Sequence, residues 1–382
     1  MKIVIAADSF KGCMRSDEVG AIIADGLRES LQGAEIKVIP VADGGEGTTD
    51  AVIRATGGEL MAVEVTGPLG DPVSAHYGLL PDGETAVMEM ASASGLELVP
   101  TDRLNPMKAT TYGTGELIRA AVEERVRDII LGIGGSATVD GGSGMAQALG
   151  YKLLTADGLE CGRGGGALPT IAKIESDGVL PALDQCRIRV ACDVTNPLLG
   201  VLGAARVFGP QKGATPEMVD LLEQGLGSLA EVWIREGLLE GVDSPGDGAA
   251  GGLGAGLRAF CNAEMSSGAD LVAAITGFDA EIRDADVFVT GEGRTDDQTA
   301  GGKLCAVLAA KARKAGASTI LISGALRGDL RQLDGLFDAV FAAVQDVSSL
   351  DEAIERGPVN LSSVARNVGR VLAFGRGLAG VK

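Results

Sequence analysis

Short apolar runs rich in Val and Ile recur along this chain, and several of them lead directly into a glycine-rich loop that carries acids, hydroxyls or a single cation. Apolar runs that alternate with helix-like segments predict an α/β fold with a parallel sheet. Ligands of such a sheet bind beyond the carboxyl ends of its strands, where glycines admit phosphate and carboxylates can hold magnesium. The sequence therefore predicts phosphate chemistry in the loops at residues 6–11, 40–48, 132–142, 191–197 and 290–299.

The order of predicted elements indicates two domains, as a length of 382 residues also favours. The chain opens with a strand over residues 2–6 and a helix with Ser16 as its N-cap, followed by a strand over 35–41 and a helix over 48–55. Turn-rich boundaries then predict an antiparallel meander over 59–66, 73–80 and 84–90. Further strands are predicted over 128–133, 187–192, 286–290, 318–323 and 338–344, and further helices over 114–124, 216–236, 303–315 and 362–374.

The predicted fold class is therefore α/β, with a doubly wound, mostly parallel Rossmann-like sheet and a second, inserted α/β domain that contains the antiparallel meander. Residues 1–58 and 285–382 form the first, discontinuous domain, and residues 59–284 form the inserted one. We expect the active site in the cleft between them.

The charge and composition of the chain limit the kinds of molecule that it is expected to bind. A formal net charge of −19 argues against nucleic-acid binding, although a magnesium–ATP complex needs only a local group of cations. The six cysteines include no Cys-x-x-Cys pair, and no apolar run reaches the length of a membrane helix. We expect a cytoplasmic protein with no nucleic-acid or membrane partner, and a homo-oligomer is compatible with the sequence.

Several common catalytic motifs are missing. No Walker A pattern surrounds any lysine, no Gly-x-Ser-x-Gly elbow occurs, and the one histidine, His76, lies in the predicted meander. A Gly-x-Gly-x-x-Ala match at residues 132–137 follows a strand, but a second match at 254–259 shows how easily 58 glycines produce it.

The ordered set of loops resembles the bacterial glycerate kinases of the glycerate kinase type 1 family. The resemblance covers essentially the whole chain. It rests on residues 8–11, 42–48, 109–117, 134–138, 193–198, 208–214 and 290–303. Val139 and residues 12–14 depart from the usual family pattern.

The resemblance implies ATP-dependent phosphorylation of D-glycerate by a magnesium-dependent enzyme, with 2-phosphoglycerate favoured over 3-phosphoglycerate as product. The predicted catalytic residues are Asp296, Asp193, Lys11 and Arg294, and the predicted metal ligands are Asp193, Asn196 and Asp296. Asp8 and Asp43 compete with Asp296 and Asp193 as metal ligand or base. Substrate and nucleotide binding is predicted for Asp8, Ser9, Asp43, Gly44, Gly45, Glu46, Gly134, Gly135, Ser136, Thr138, Lys212, Gln298, Thr299 and Lys303.

Other interpretations stay open at this point. One is a kinase or an NAD-dependent dehydrogenase of another small hydroxy acid. Another is a non-catalytic regulator that binds a sugar acid, against which the absence of a basic helix-turn-helix pattern counts.

Overall fold

The computed structural model describes residues 1–296 and 303–379, with side chains through residue 375. Its internal contacts define two compact units. The first comprises Met1–Asp43, Asp50–Thr56 and Ala269–Lys382, and the second comprises Gly44–Thr49 and Gly57–Gly268. The chain thus returns to the first unit at residue 269, whereas the sequence prediction placed this return at residue 285.

Strands and helices alternate over most of the chain. The strands are β1 (Lys2–Ile5), β2 (Glu35–Val38), β3 (Glu59–Thr66), β4 (Pro72–Leu79), β5 (Thr85–Glu89), β6 (Asp128–Gly132), β7 (Lys152–Leu154), β8 (Lys173–Glu175), β9 (Arg187–Ala191), β10 (Glu264–Ser266), β11 (Val287–Thr295), β12 (Ser318–Leu326) and β13 (Ala339–Ala342). The α-helices are α1 (Ser16–Arg28), α2 (Thr48–Thr56), α3 (Ala91–Ser94), α4 (Tyr112–Glu123), α5 (Ser143–Leu149), α6 (Ala204–Phe208), α7 (Pro216–Arg235), α8 (Ala249–Cys261), α9 (Gly268–Ile275), α10 (Phe278–Glu281), α11 (Leu304–Ala315), α12 (Leu350–Glu355) and α13 (Gly357–Ala379). Among the described residues, no helix combines the length and apolar character that crossing a membrane requires.

The sheet of the first unit is entirely parallel, with strand order β13-β12-β11-β1-β2. The chain builds outward from β1 to β2 and later builds in the opposite direction from β11 to β13. The order therefore reverses between β1 and β11, and a doubly wound sheet binds its ligands beyond the carboxyl ends of strands at such a point. Helices α1 and α13 pack their apolar residues against this sheet, among them Ile23, Leu27, Leu361 and Val364.

The sheet of the second unit has strand order β10-β9-β6-β5-β4-β3. Strands β5, β6, β9 and β10 are parallel, whereas β3 and β4 form an antiparallel edge. The predicted fold class, a mostly parallel α/β structure with an antiparallel meander, is confirmed. Glu89, Gly132 and Ala191 are register partners at the carboxyl ends of β5, β6 and β9.

Strand β11 is longer than predicted. The sequence analysis treated the residues after Thr290 as a loop, but the strand continues to Thr295 and pairs with β12 as far as Leu326. Glycine makes this pairing possible, because a Cβ at Gly291 would lie 2.5 Å from the carbonyl oxygen of Ile322. Glu292 and Arg294 are therefore held on a strand.

The predicted N-cap of α1 is wrong by one residue. The cap is Arg15, whose amide donates to the carboxylate of Glu18 at 3.0 Å. Ser16 is buried, and its hydroxyl donates to the carbonyl oxygen of Ala7 at 2.7 Å and accepts from the amide of Val41 at 3.2 Å. This hydroxyl therefore joins the two segments that leave the carboxyl ends of β1 and β2.

We expect Ser16→Ala to lower the free energy of unfolding by about 1–3 kcal/mol, because it leaves a buried carbonyl and a buried amide without their partner. Urea unfolding followed by circular dichroism measures the change. Ser348→Ala, at an exposed loop position of the same unit, is the control. An unaltered midpoint in Ser16→Ala would show that the two backbone groups find other partners.

Candidate functional site

A cavity of about 440 Å³ opens in the first unit beside the carboxyl ends of β1 and β11. It brings together several predicted site residues that are far apart in the sequence. Those that line it are Asp8, Ser9, Lys11, Asp43, Arg294 and Lys303. Glu292, which lies among the charged residues after Thr290, lines it as well.

The loop after β1 is fixed by backbone contacts with β11. The amide of Asp8 donates to the carbonyl oxygen of Gly291 at 2.8 Å. A Cβ at Gly293 would lie 3.3 Å from the Cα of Phe10, so the loop passes directly over this glycine. The amide of Ser9 then donates to the carboxylate of Asp8 at 2.7 Å, which orients that carboxylate. The position of Asp8 is therefore determined by the β1–β11 pairing.

The electrostatic environment of Asp8 is unusual for a carboxylic acid. Burial raises its pKa to about 7, and the negative charges of Asp43 and Glu292 act in the same direction. The Ser9 amide and the Lys11 ammonium oppose them. An excess of negative charge at this edge of the cavity would be relieved by a bound cation or by a retained proton.

Two cations share one carboxylate at the end of β11. Asp296 lies 3.2 Å from Arg294 and 3.5 Å from Lys303, and its side chain is 17% exposed. The side chains of Arg294 and Lys303 are 62% and 41% exposed, so both can reach an anionic ligand. The predicted binding residues Gln298 and Thr299 lie outside the described residues.

In the second unit, the predicted loop at residues 44–48 is held by Glu89, which the sequence analysis missed. The carboxylate of Glu89 accepts from the amides of Gly47 at 3.1 Å and Thr49 at 2.7 Å. Burial raises the pKa of Glu89, and these amides oppose the rise. The sequence signal that could have identified Glu89 is its position directly after the apolar residues of a predicted strand.

Gly44 packs closely in the same loop, because a Cβ there would lie 2.9 Å from the Cβ of Ala191. Gly45 is half-buried and Glu46 is exposed. The loop therefore rests on the carboxyl ends of the central strands of its own sheet, with the Glu46 side chain in solvent.

Lys212 supports the glycine-rich loop after β6. It is 1% exposed, and its ammonium donates to the hydroxyl of Ser136 at 2.6 Å and to the carbonyl oxygen of Thr138 at 2.7 Å. Burial lowers the pKa of Lys212 to about 7, and the nearby Asp140 opposes the fall. The buried Lys212 side chain thus supports the loop through the Ser136 hydroxyl and the Thr138 backbone. Ligand binding by Lys212, Ser136 and Thr138 stays a prediction.

The exposed part of this loop is its first two glycines. Within the described structure, the amides of Gly134 and Gly135 donate to no protein acceptor, whereas the amide of Ala137 donates to the carbonyl oxygen of Ser94. In the loop at residues 132–142, for which phosphate chemistry was predicted, the amides of Gly134 and Gly135 are therefore available to a ligand.

Two further candidates follow β9. The carboxylate of Asp193 accepts from the amide of Gly268 at 3.0 Å, and the side chain of Asn196 donates to the carbonyl oxygen of Leu202 at 2.8 Å. Asp193 is exposed. The Asn196 side chain uses its nitrogen in this hydrogen bond, and its oxygen is the atom that could bind a metal.

Comparison with known proteins identifies the family. The family model described as the glycerate kinase family matches residues 3–373. The chain is 47% identical to "Glycerate 2-kinase" of Escherichia coli (strain K12) over 382 residues, covering all of both chains. It is 46% identical over 375 residues to "Glycerate kinase" of Halalkalibacterium halodurans, covering 98% of this chain and 99% of the relative.

A crystal structure of a Salmonella typhimurium LT2 protein superposes with a TM-score of 0.90 at 46% identity, covering 98% of this chain and 99% of the other. The resemblance seen in the sequence is therefore confirmed, and the chain belongs to the glycerate kinase family.

Proposed function

We propose that the protein transfers the γ-phosphoryl group of ATP to the C2 hydroxyl of D-glycerate, giving 2-phosphoglycerate and ADP. The observation that carries this proposal is the cavity beside β1 and β11, where acids and cations from three separate segments meet. Full-length relatives named glycerate kinase, one of them a glycerate 2-kinase, support the choice of acceptor and of hydroxyl.

The cations of the cavity supply the electrostatic part of the reaction. Negative charge spreads over the oxygens of the phosphoryl group as it leaves ADP, and Lys11, Arg294 and Lys303 lie where they can neutralise it. One of these cations also has the chemistry to bind the glycerate carboxylate. The exposed amides of Gly134 and Gly135 offer a second place for anionic oxygens.

The acceptor hydroxyl loses its proton as its oxygen bonds to the γ-phosphorus and the bond from that phosphorus to the departing ADP oxygen breaks. A carboxylate must accept this proton, and we assign that role to Asp296, with Asp193 as the alternative. Asp296 also holds Arg294 and Lys303, so one residue would orient the cations and take the proton.

The residues of the cavity fit a magnesium ion bound together with nucleotide phosphates. In the part of the chain that the structure describes, no group of three His, Cys, Asp or Glu residues could hold a metal by itself. Kinases, however, hold magnesium with one or two carboxylates and the phosphates of the nucleotide.

Asp8 and Asp43 would hold the magnesium ion in this cavity. Without a cation, the negative charge of Asp43 helps to keep Asp8 protonated, and a bound cation would offset that charge. The sequence prediction of Asp193, Asn196 and Asp296 as ligands is the alternative. When bound, the ion supplies charge neutralisation at the β- and γ-phosphates.

We expect ADP to form in the presence of ATP, magnesium and D-glycerate, with phosphorus NMR showing a phosphate on C2. A coupled assay of ADP release measures the rate, and L-glycerate and other small hydroxy acids are the controls. Turnover of another hydroxy acid without turnover of D-glycerate would contradict the proposal. Reduction of NAD by any of these acids would instead identify a dehydrogenase.

We expect Asp8→Asn to gain stability relative to wild type as the pH rises from 4 to 8 in magnesium-free buffer. Folded wild type retains the Asp8 proton up to its pKa of about 7, whereas the unfolded chain releases it near 3.8, so this group destabilises the fold as pH rises between these values. Asn cannot ionise and avoids the loss.

Thermal unfolding across this pH range measures the difference. Asp25→Asn on α1 removes the same charge at an exposed position and controls for net charge. A melting-temperature difference between Asp8→Asn and wild type that does not change with pH would contradict the environment assigned to Asp8.

We expect Asp296→Asn to lower kcat by about a hundredfold, the usual cost of removing a general base, with little change in the KM for D-glycerate. Steady-state kinetics for both substrates measure it. The control is Asp329→Asn, which removes the carboxylate of another Asp–Arg pair two residues apart in the same unit, at the surface. Near-normal turnover of the Asp296→Asn variant would contradict Asp296 as the proton acceptor and would favour Asp193.

A further inference from the structure

The cavity of the first unit has an apolar half that the reaction chemistry leaves unused. The residues there come from the end of β13, from α12 and from the start of α13. They are Ala343, Val344, Leu350, Ala353, Ile354 and Gly357. Leu350 is 74% exposed, which is unusual for a large apolar side chain that lines a cavity.

The size and the two-sided character of the cavity indicate its ligand. A volume of about 440 Å³ suits a ligand of many atoms and far exceeds the needs of glycerate. Glycerate is polar throughout, so an apolar wall offers it nothing. A nucleoside triphosphate has both parts that this cavity accommodates, namely a base with flat aromatic faces and a chain of phosphates.

One polar side chain lies within the apolar half. Asn360, on the first turn of α13, is 8% exposed and lines the cavity. No hydrogen bond of the described residues involves its side-chain amide, so this amide can pair with a ligand in the cavity. A carboxamide offers one donor group beside one acceptor, and adenine presents the complementary pair along its edge.

The packing of α13 against the loop after β1 fixes Asn360 near the charged half. A Cβ at Gly357 would lie 2.3 Å from the sulfur of Cys13, so the start of this helix packs directly on that side chain. The thiol of Cys13 donates to the carbonyl oxygen of Ile354 at 3.1 Å. The helix junction that carries Asn360 is thus attached to the loop that carries Lys11.

From these observations we propose that the apolar half of the cavity binds the adenine base of ATP, that the amide of Asn360 hydrogen-bonds to the edge of the base, and that the phosphates extend toward Lys11. This inference rests on the proposed ATP-dependent reaction, and it adds the place and the recognition of the base.

Calorimetric titration of the full-length protein with ADP and with inorganic tripolyphosphate, both with magnesium, separates base binding from phosphate binding. We expect Asn360→Leu to weaken ADP binding about tenfold, since the base loses its hydrogen bonds, and to leave tripolyphosphate binding unchanged. Equal loss for both ligands, or unchanged ADP affinity, would overturn the assignment.

A second variant keeps the test decisive if Asn360→Leu does not fold. Leu350→Ser changes an exposed residue, and we expect it to weaken ADP binding about tenfold through lost apolar contact, again without effect on tripolyphosphate. Val359→Ser is the matched control, because Val359 is 69% exposed on the neighbouring helix and does not line the cavity. Identical behaviour of the two serine variants would contradict the proposal.

These binding measurements use no glycerate, so their outcome does not depend on whether D-glycerate is the acceptor. If wild type phosphorylates D-glycerate while the variants bind ADP normally, the base site is wrong and the reaction stands. If wild type phosphorylates only another acid while the variants lose ADP, the base site stands and the choice of acceptor is wrong.

Discussion

The parallel pairing of β1 with β11 is the contact on which the candidate site depends. It joins Ile3 to Val287 and Ile5 to Val289, residues separated by most of the chain. Beyond the paired residues, the hydroxyl of Thr290 donates to the carbonyl oxygen of Ala6 and the amide of Asp8 donates to the carbonyl oxygen of Gly291. Because these bonds continue the pairing past the end of β1, the Asp8 carboxylate from the start of the chain and the Arg294 cation of β11 line one cavity.

Much of the fold could be predicted because apolar periodicity and turn residues are local signals. The meander of β3 to β5 and the strands after residue 286 follow from them. The same local signals gave wrong predictions for the extent of β11 and for helix α8. Gly291 and Gly293 suggest a loop by composition, yet they allow β11 and its neighbours to approach closely. Helix α8 was missed because its glycine-rich sequence has weak helix propensity, and tertiary packing buries most of it.

The site could be predicted as a set of residues but not as an arrangement. Asp8, Asp43 and Arg294, which line the cavity, were predicted because acids and cations beside glycines exceed what a turn requires. Lys212 was predicted to bind a ligand, but its burial against the loop after β6 depends on packing that no motif encodes. Asn360 was missed because a single amide on a helix carries no sequence signal, and its meaning appears only with the cavity around it.

In this account the nucleotide binds in the first unit, at the point where the strand order reverses. A crystal structure of the protein with ADP, magnesium and D-glycerate tests this most directly. We predict the base against Leu350 and Ile354 and the phosphates between Asp8 and Lys11. Nucleotide phosphates bound to the amides of Gly134 and Gly135, with the cavity beside β1 and β11 occupied by glycerate or by solvent, would contradict it.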